Sequence, residues 1–166
     1  IIYAVVGKTD KIFSENSEKT KSQIIQIMEN CFQARIIVID RSEGDIFGHA
    51  DGLVRFINGD TVLVNEPGLE VEYFKRLTGI LKRNNLNFIC APCNCAKTGL
   101  NAEGLYINYL HIGDVIFLPV FDTLQDERAV KFFEGVFSGC NIIPVNSKQI
   151  AKRGGVLRCV SWGVMN

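Results

Sequence analysis

The chain has 166 residues, 47% of them apolar and 22% charged, and 18 lysines and arginines balance 18 aspartates and glutamates. That length suits one domain with a buried core, and zero formal charge gives no electrostatic ground for a nucleic-acid partner. No apolar run approaches the ~20 residues needed to cross a bilayer as a helix, so no membrane partner is expected.

The first residue is Ile1 rather than methionine, and it opens directly into the apolar run "IIYAVV". A native start further upstream is therefore expected, and targeting is not legible from this end. "IIYAVVGKTDKIF" predicts strand, turn at Gly7-Lys8, strand. A helix is predicted over about Ser17 to Phe32, with Ile24, Ile27, Met28 and Cys31 on one stripe, followed by the strand "RIIVID".

The stretch "GDIFGHADGLVRFINGDTVLVNE", Gly44 to Glu66, comes next. Gly44, Gly48 and Gly52 predict an irregular turn, because glycine reaches backbone angles that other residues avoid. His49 and Asp51 are two apart, so on an extended chain they share one side, about 7 Å apart at the backbone. An acid/base group beside a carboxylate at a strand entry marks a candidate site. The plain alternatives are a satisfied loop histidine and an aspartate that caps its own turn, work that also suits Glu43 and Asp45.

Beyond it, Asn58-Gly59 is a strong hairpin signal. "LEVEYFKRLTGILKRN" predicts a helix and "LNFICA" a strand. A third hairpin, "YINYLHIGDVIFLPVF", turns at Gly113-Asp114 and leads to a helix in "TLQDERAVKFFEGVF" and a strand in "CNIIPV". His111 within that hairpin reads as structural. The turn glycines Gly7, Gly59 and Gly113 stand 52 and 54 residues apart. A repeated hairpin–helix–strand unit predicts an array or ring of α/β modules, with units over about 1–44, 45–97 and 98–155 and a terminal strand over 156–166. An α+β domain with evenly spaced hairpins is the alternative.

The six cysteines do not resemble a disulfide scaffold in so aliphatic a chain, and a reducing, cytoplasmic compartment is expected. Cys90, Cys93 and Cys95 form C-x2-C-x-C, but no second pair stands at ligand spacing to complete a metal site, so none is assigned. Cys159 lies in "KRGGVLRCVSW", the place after the third unit that matches the His49 loop after the first. In a ring, matching loops converge on one end of the axis, so His49, Asp51 and Cys159 can meet although about 110 residues separate them. A thiolate is a strong nucleophile, and a cation such as Arg158 favours it. The alternative is a small buried residue in a strand "VLRCVSW".

"GDIFGHADGLVRFINGDTVLVNE" together with "GGVLRCVSW" resembles the agmatine deiminase and bacterial-type peptidylarginine deiminase family, within the guanidino-group-modifying superfamily. "TDKIFSEN", "YINYLHIGDVIFLPVFDTLQDERA" and "SKQIAKRGG" follow that family in the same order. The resemblance implies an α/β propeller of five ββαβ-type modules, the pentein fold, of which these would be the later three, with the N-terminal modules missing. It implies Cys159 as nucleophile, His49 as general acid/base and Asp51 as the carboxylate that grips a substrate guanidinium, with Gly48 and Gly52 allowing the turn. Asp45 and Arg158 are further candidates for the pocket wall.

The implied activity is a guanidino deiminase, hydrolysing agmatine, arginine or a peptidyl-arginine side chain to a ureido product and ammonia, with no metal or organic cofactor. Relatives often form dimers, so a homo-oligomer is an open expectation. Two departures stand out. No "LEGG"-like stretch precedes "TDKIF", and Arg158 occupies a position where relatives usually carry His or Asn. They motivate the alternative of a non-catalytic relative that keeps the scaffold for binding or assembly.

Overall fold

The computed structural model describes residues 2–7, 10–41, 49–68, 70–93 and 101–163. Asp45, Gly44, Gly48 and Cys95 lie outside them, as does Lys8 of the first predicted turn.

Among the described residues, three small sheets follow one another along the chain. In the first, β1 (Tyr3–Gly7) pairs in parallel with β2 (Arg35–Ile39). The predicted second strand of this hairpin is not formed: Asp10–Ser14 is a short helix, α1, and β1 takes β2 directly as its neighbour. The helix α2 (Lys21–Phe32) starts later than expected because Thr20 caps it. The Thr20 hydroxyl accepts from the Gln23 N–H at 3.3 Å, and the Gln23 side chain accepts from the Thr20 N–H at 2.8 Å. This reciprocal box satisfies two otherwise orphaned donors. Of its predicted apolar stripe only Ile24 is buried; Ile27 and Cys31 are exposed.

The second and third sheets share one pattern, an antiparallel hairpin whose second strand pairs in parallel with a strand after a helix. In the second, β3 (Val54–Phe56) and β4 (Thr61–Asn65) form the hairpin, α3 (Val71–Arg83) crosses over, and β5 (Asn87–Ala91) closes the sheet. Asn58 holds the turn, its Oδ1 accepting from the N–H groups of Asp60 and Thr61 at 3.0 and 2.8 Å. In the third, β6 (Leu110–Ile112) and β7 (Val115–Val120) turn at Gly113, φ +58°, then α4 (Gln125–Val136) leads to β8 (Asn141–Asn146). The left-handed φ explains a glycine there.

Central strands of such units are covered on both faces and read as apolar runs. Val62, Leu63 and Val64 of β4 are all fully buried. Leu63 joins the core of the third module, with Tyr106, Ile116, Leu118 and Phe133. Val62 and Val64 pack with Ile37 and Ile39 of β2 and with Leu77 and Leu81 of α3. One strand thus contributes side chains to two cores, which joins successive modules. Across the same junction, Arg128 of α4 donates to Glu66 after β4 at 2.9 Å.

The predicted strand at the chain end is not formed over its described part. A short helix, α5 (Lys148–Ala151), is followed by turns, and residues 157–160 form a turn rather than a strand. Gly154 takes φ +91°. That left-handed step turns the chain before it can extend along a sheet edge.

Candidate active site

The loop from His49 to Leu53 carries the first two candidates. A single 3₁₀ turn spans Ala50–Gly52, and β3 begins only at Val54. His49 and Asp51 therefore do not share one side of a strand as predicted. His49 stands exposed at the start of the turn, with extended backbone, and Asp51 within it is half-buried. Asn65, at the end of β4, donates from Nδ2 to the Gly52 carbonyl at 2.6 Å, tying the turn to a buried strand. Gly52 itself takes no left-handed φ, and an added Cβ would meet Leu105 at an ordinary 3.6 Å. The turn does not depend on glycine at that position.

Glycine is required instead beside the cysteine. A Cβ on Gly155 would lie 2.8 Å from Cys159 Cβ and 3.2 Å from its Sγ. The "GG" before Cys159 thus does two jobs: Gly154 supplies the left-handed step, and Gly155 leaves room for the cysteine to fold back over it. The result is an exposed thiol on a turn, not a buried residue of a strand.

Cys159 and Asp51 meet. The Sγ lies 3.6 Å from Asp51 Oδ2 and 3.5 Å from Asn108 Oδ1. Asn108 is almost fully buried, with 2% of its surface exposed. Its Nδ2 donates to Asp51 Oδ2 at 3.2 Å, and its Oδ1 accepts from the Arg158 N–H at 3.2 Å. One buried amide therefore touches the carboxylate, the thiol and the backbone that carries the thiol. A buried amide is costly unless its donor and acceptor are both used, and here both are used within the site.

Asn108 was not among the sequence candidates. "YINYLHI" reads as a strand, which would make Asn108 an inward or outward strand residue, whereas the strand starts only at Leu110. The available signal was a polar amide inside the run "LYINYL", where burial demands partners.

A cavity of about 440 Å³ adjoins the cluster, walled by Tyr3 and Val5 of β1, by Asp51, by Arg55 and Phe56 of β3, and by Arg158. Arg55 stacks on the Tyr109 ring, its guanidinium carbon 3.8 Å from the centroid, and donates to the Tyr109 carbonyl. Burial lowers the Arg55 pKa, opposed by Tyr109 and Asp51 and reinforced by the neighbouring charge of Arg158. Arg158 shares the cavity with Asp51.

The other candidates stay apart. His111 is exposed on β6 and does not line the cavity. In the C-x2-C-x-C run, Cys90 is a half-buried free thiol on β5 and Cys93 is disulfide-bonded. Among the described residues no three His, Cys, Asp or Glu side chains gather as a metal site, and no helix is long and apolar enough to cross a membrane.

Comparison with solved structures identifies the fold. Agmatine deiminase of C. jejuni superposes with a TM-score of 0.72 at 21% identity, over 95% of this chain and 49% of that one. The same enzyme as a substrate-bound variant gives 0.70 at 22%, over 94% and 50%. Agmatine deiminase of Enterococcus faecalis gives 0.69 at 17%, over 94% and 51%. The chain has the α/β-propeller fold of these proteins, the pentein fold, and spans about half their length. Residues 9–164 match the family described as Porphyromonas-type peptidyl-arginine deiminase. The chain belongs to that family. No curated protein matches it.

Proposed function

We propose that this chain carries the cysteine-bearing part of a guanidino deiminase site, with Cys159 as nucleophile, Asp51 as guanidinium-binding carboxylate and His49 as general acid/base. The observation that carries this reading is the meeting of an exposed thiol with a carboxylate at 3.6 Å beside a cavity. Membership of a family described by peptidyl-arginine deimination supports the substrate class.

A guanidinium is planar, with N–H groups arranged as a fork that one carboxylate can accept in pairs. Bound to Asp51, it brings its central carbon over the sulfur beside that carboxylate, which is the near-attack geometry a thiolate requires. Sγ forms a bond to that carbon, and the tetrahedral adduct expels one nitrogen as ammonia on receiving a proton from His49. The thiouronium left on Cys159 is attacked by water that gives its proton to His49. The C–S bond then breaks, releasing a ureido product and the thiolate. Asn108 would hold Asp51 and Cys159 in register through both steps.

The test is turnover by the longest native form of the protein. Ammonia and ureido product are measured with agmatine, arginine and an arginine peptide. Cys159→Ala should lower kcat by at least about a thousandfold; normal turnover by that variant would end the proposal.

A second reading, a scaffold relative that binds or assembles without catalysis, draws on the two guanidinium groups, Arg55 and Arg158, that face the cavity with Asp51. Such a lining disfavours a cationic substrate. Rapid alkylation of Cys159 by a haloacetamidine, faster than by the matching haloacetamide, counts against it, because only the amidine gains from a guanidinium-binding carboxylate.

A further inference from the structure

A second thiol meets an imidazole outside the cavity. Cys140 Sγ lies 3.6 Å from Nε2 of His111, across 29 residues of chain. His111 belongs to β6, and Cys140 sits in the turn that leads from α4 into β8. Neither lines the cavity beside Asp51.

Both partners are fixed by their surroundings. The Cys140 N–H donates to the Phe137 carbonyl at 2.8 Å, closing the turn. The His111 ring packs edge-on against Phe137, centroids 5.8 Å apart, and tilted against Tyr109 at 6.4 Å. Those two rings contact each other at 5.6 Å, and Tyr109 also packs on the buried Phe133 at 5.1 Å. An imidazole clamped between anchored aromatics keeps its Nε2 at the sulfur. His111 is exposed and Cys140 half-buried, so the pair is open to a small solute, and Cys140 is a free thiol.

We propose that Cys140 and His111 form a thiol-exchange site that takes low-molecular-weight disulfides and carries one half of them as a mixed disulfide. The thiolate is the attacking species, and a base within hydrogen-bond reach supplies it by accepting the proton. The Sγ proton passes to Nε2, and Sγ attacks one sulfur of the incoming disulfide. The S–S bond of the solute breaks as the Sγ–S bond forms, and the departing thiolate recovers the proton from the imidazolium. One disulfide is consumed, one is formed, and one small thiol is released, so no further oxidant enters. Excess small thiol reverses the step. The site stands independently of the role proposed for Cys159.

The test exposes the wild-type chain to oxidised glutathione at neutral pH, quenches with acid, and follows the mixed disulfide at each cysteine by peptide mass mapping. Cys31, exposed on α2, is the internal reference. Cys140 is expected to react at least about threefold faster than Cys31, since exchange rates follow thiolate supply as well as access. His111→Gln, which keeps a polar side chain but removes the base, should bring the ratio close to one. A wild-type ratio of one or below overturns the proposal without any variant. So does an unchanged ratio in His111→Gln with a native circular dichroism spectrum.

Discussion

Asp51 and Cys159, separated by 108 residues of sequence, meet at 3.6 Å through Oδ2 and Sγ. Three elements from three parts of the chain make that contact. The 3₁₀ turn held by Asn65 supplies the carboxylate, the segment before β6 supplies the Asn108 amide, and the Gly154-Gly155 bend supplies the thiol.

If Asp51 grips a guanidinium through two charge-assisted hydrogen bonds, each contributes roughly 1.5–3 kcal/mol. Asp51→Asn is then expected to lower kcat/KM by about 10²- to 10⁴-fold while leaving Cys159 open to a neutral alkylating agent. Steady-state kinetics beside iodoacetamide mapping separates the two effects. An Asp51→Asn enzyme with wild-type kcat/KM refutes the role.

Asn108→Ala removes the amide that donates to Asp51 and accepts from the Arg158 N–H. Losing these two hydrogen bonds costs about 1–3 kcal/mol. Chemical denaturation should show that loss of stability, together with a fall in turnover larger than the loss of folded protein explains. Equal stability in Asn108→Ala would mean that water or another group replaces the amide.

Gly155→Ala places a methyl group 2.8 Å from Cys159 Cβ. Cys159 Cβ is fixed to its backbone, so the turn itself has to shift, and the change is expected to lower stability and to displace the sulfur from Asp51. A misplacement of about 1 Å can cost about a hundredfold in rate. Thermal unfolding and kcat, measured on the same preparation, test this; unchanged kcat contradicts it.

Tyr106 and Tyr109 are buried, and burial is the first cause raising both phenol pKa values. For Tyr106, the Thr123 contact opposes the rise while the bond to Asp126 and its charge reinforce it. A raised acid keeps its proton in the folded state after the unfolded chain has lost its own. These groups therefore leave stability unchanged below about pH 10 and reduce it as pH climbs above that value. The tyrosinate absorbance of Tyr106 and Tyr109 should appear only together with loss of circular dichroism. Full ionisation of all four tyrosines in a chain that remains folded would contradict this.

The repeat was legible because hairpin signals are local. Asn58-Gly59 and Gly113-Asp114 mark turns by their own backbone preferences, and both turns formed. The first unit was misread at "DKIF" because a short apolar run carries no period that separates strand from helix. The chain-end strand was misread for a related reason: "VLRCVSW" has strand composition, but strands need a partner edge, and the Gly154 bend turns the chain away.

By itself the sequence determined the hairpins at Asn58-Gly59 and Gly113-Asp114, the helices that follow them, and the residue types that carry chemistry, since these follow from short-range periodicity and side-chain identity. Only the tertiary structure decided that Asp51, Asn108 and Cys159 touch, that Gly155 and not Gly52 is sterically required, and that Cys140 lies on His111. Those are contacts between segments distant in the chain, and they depend on how packed cores orient one module against the next, which no local pattern encodes.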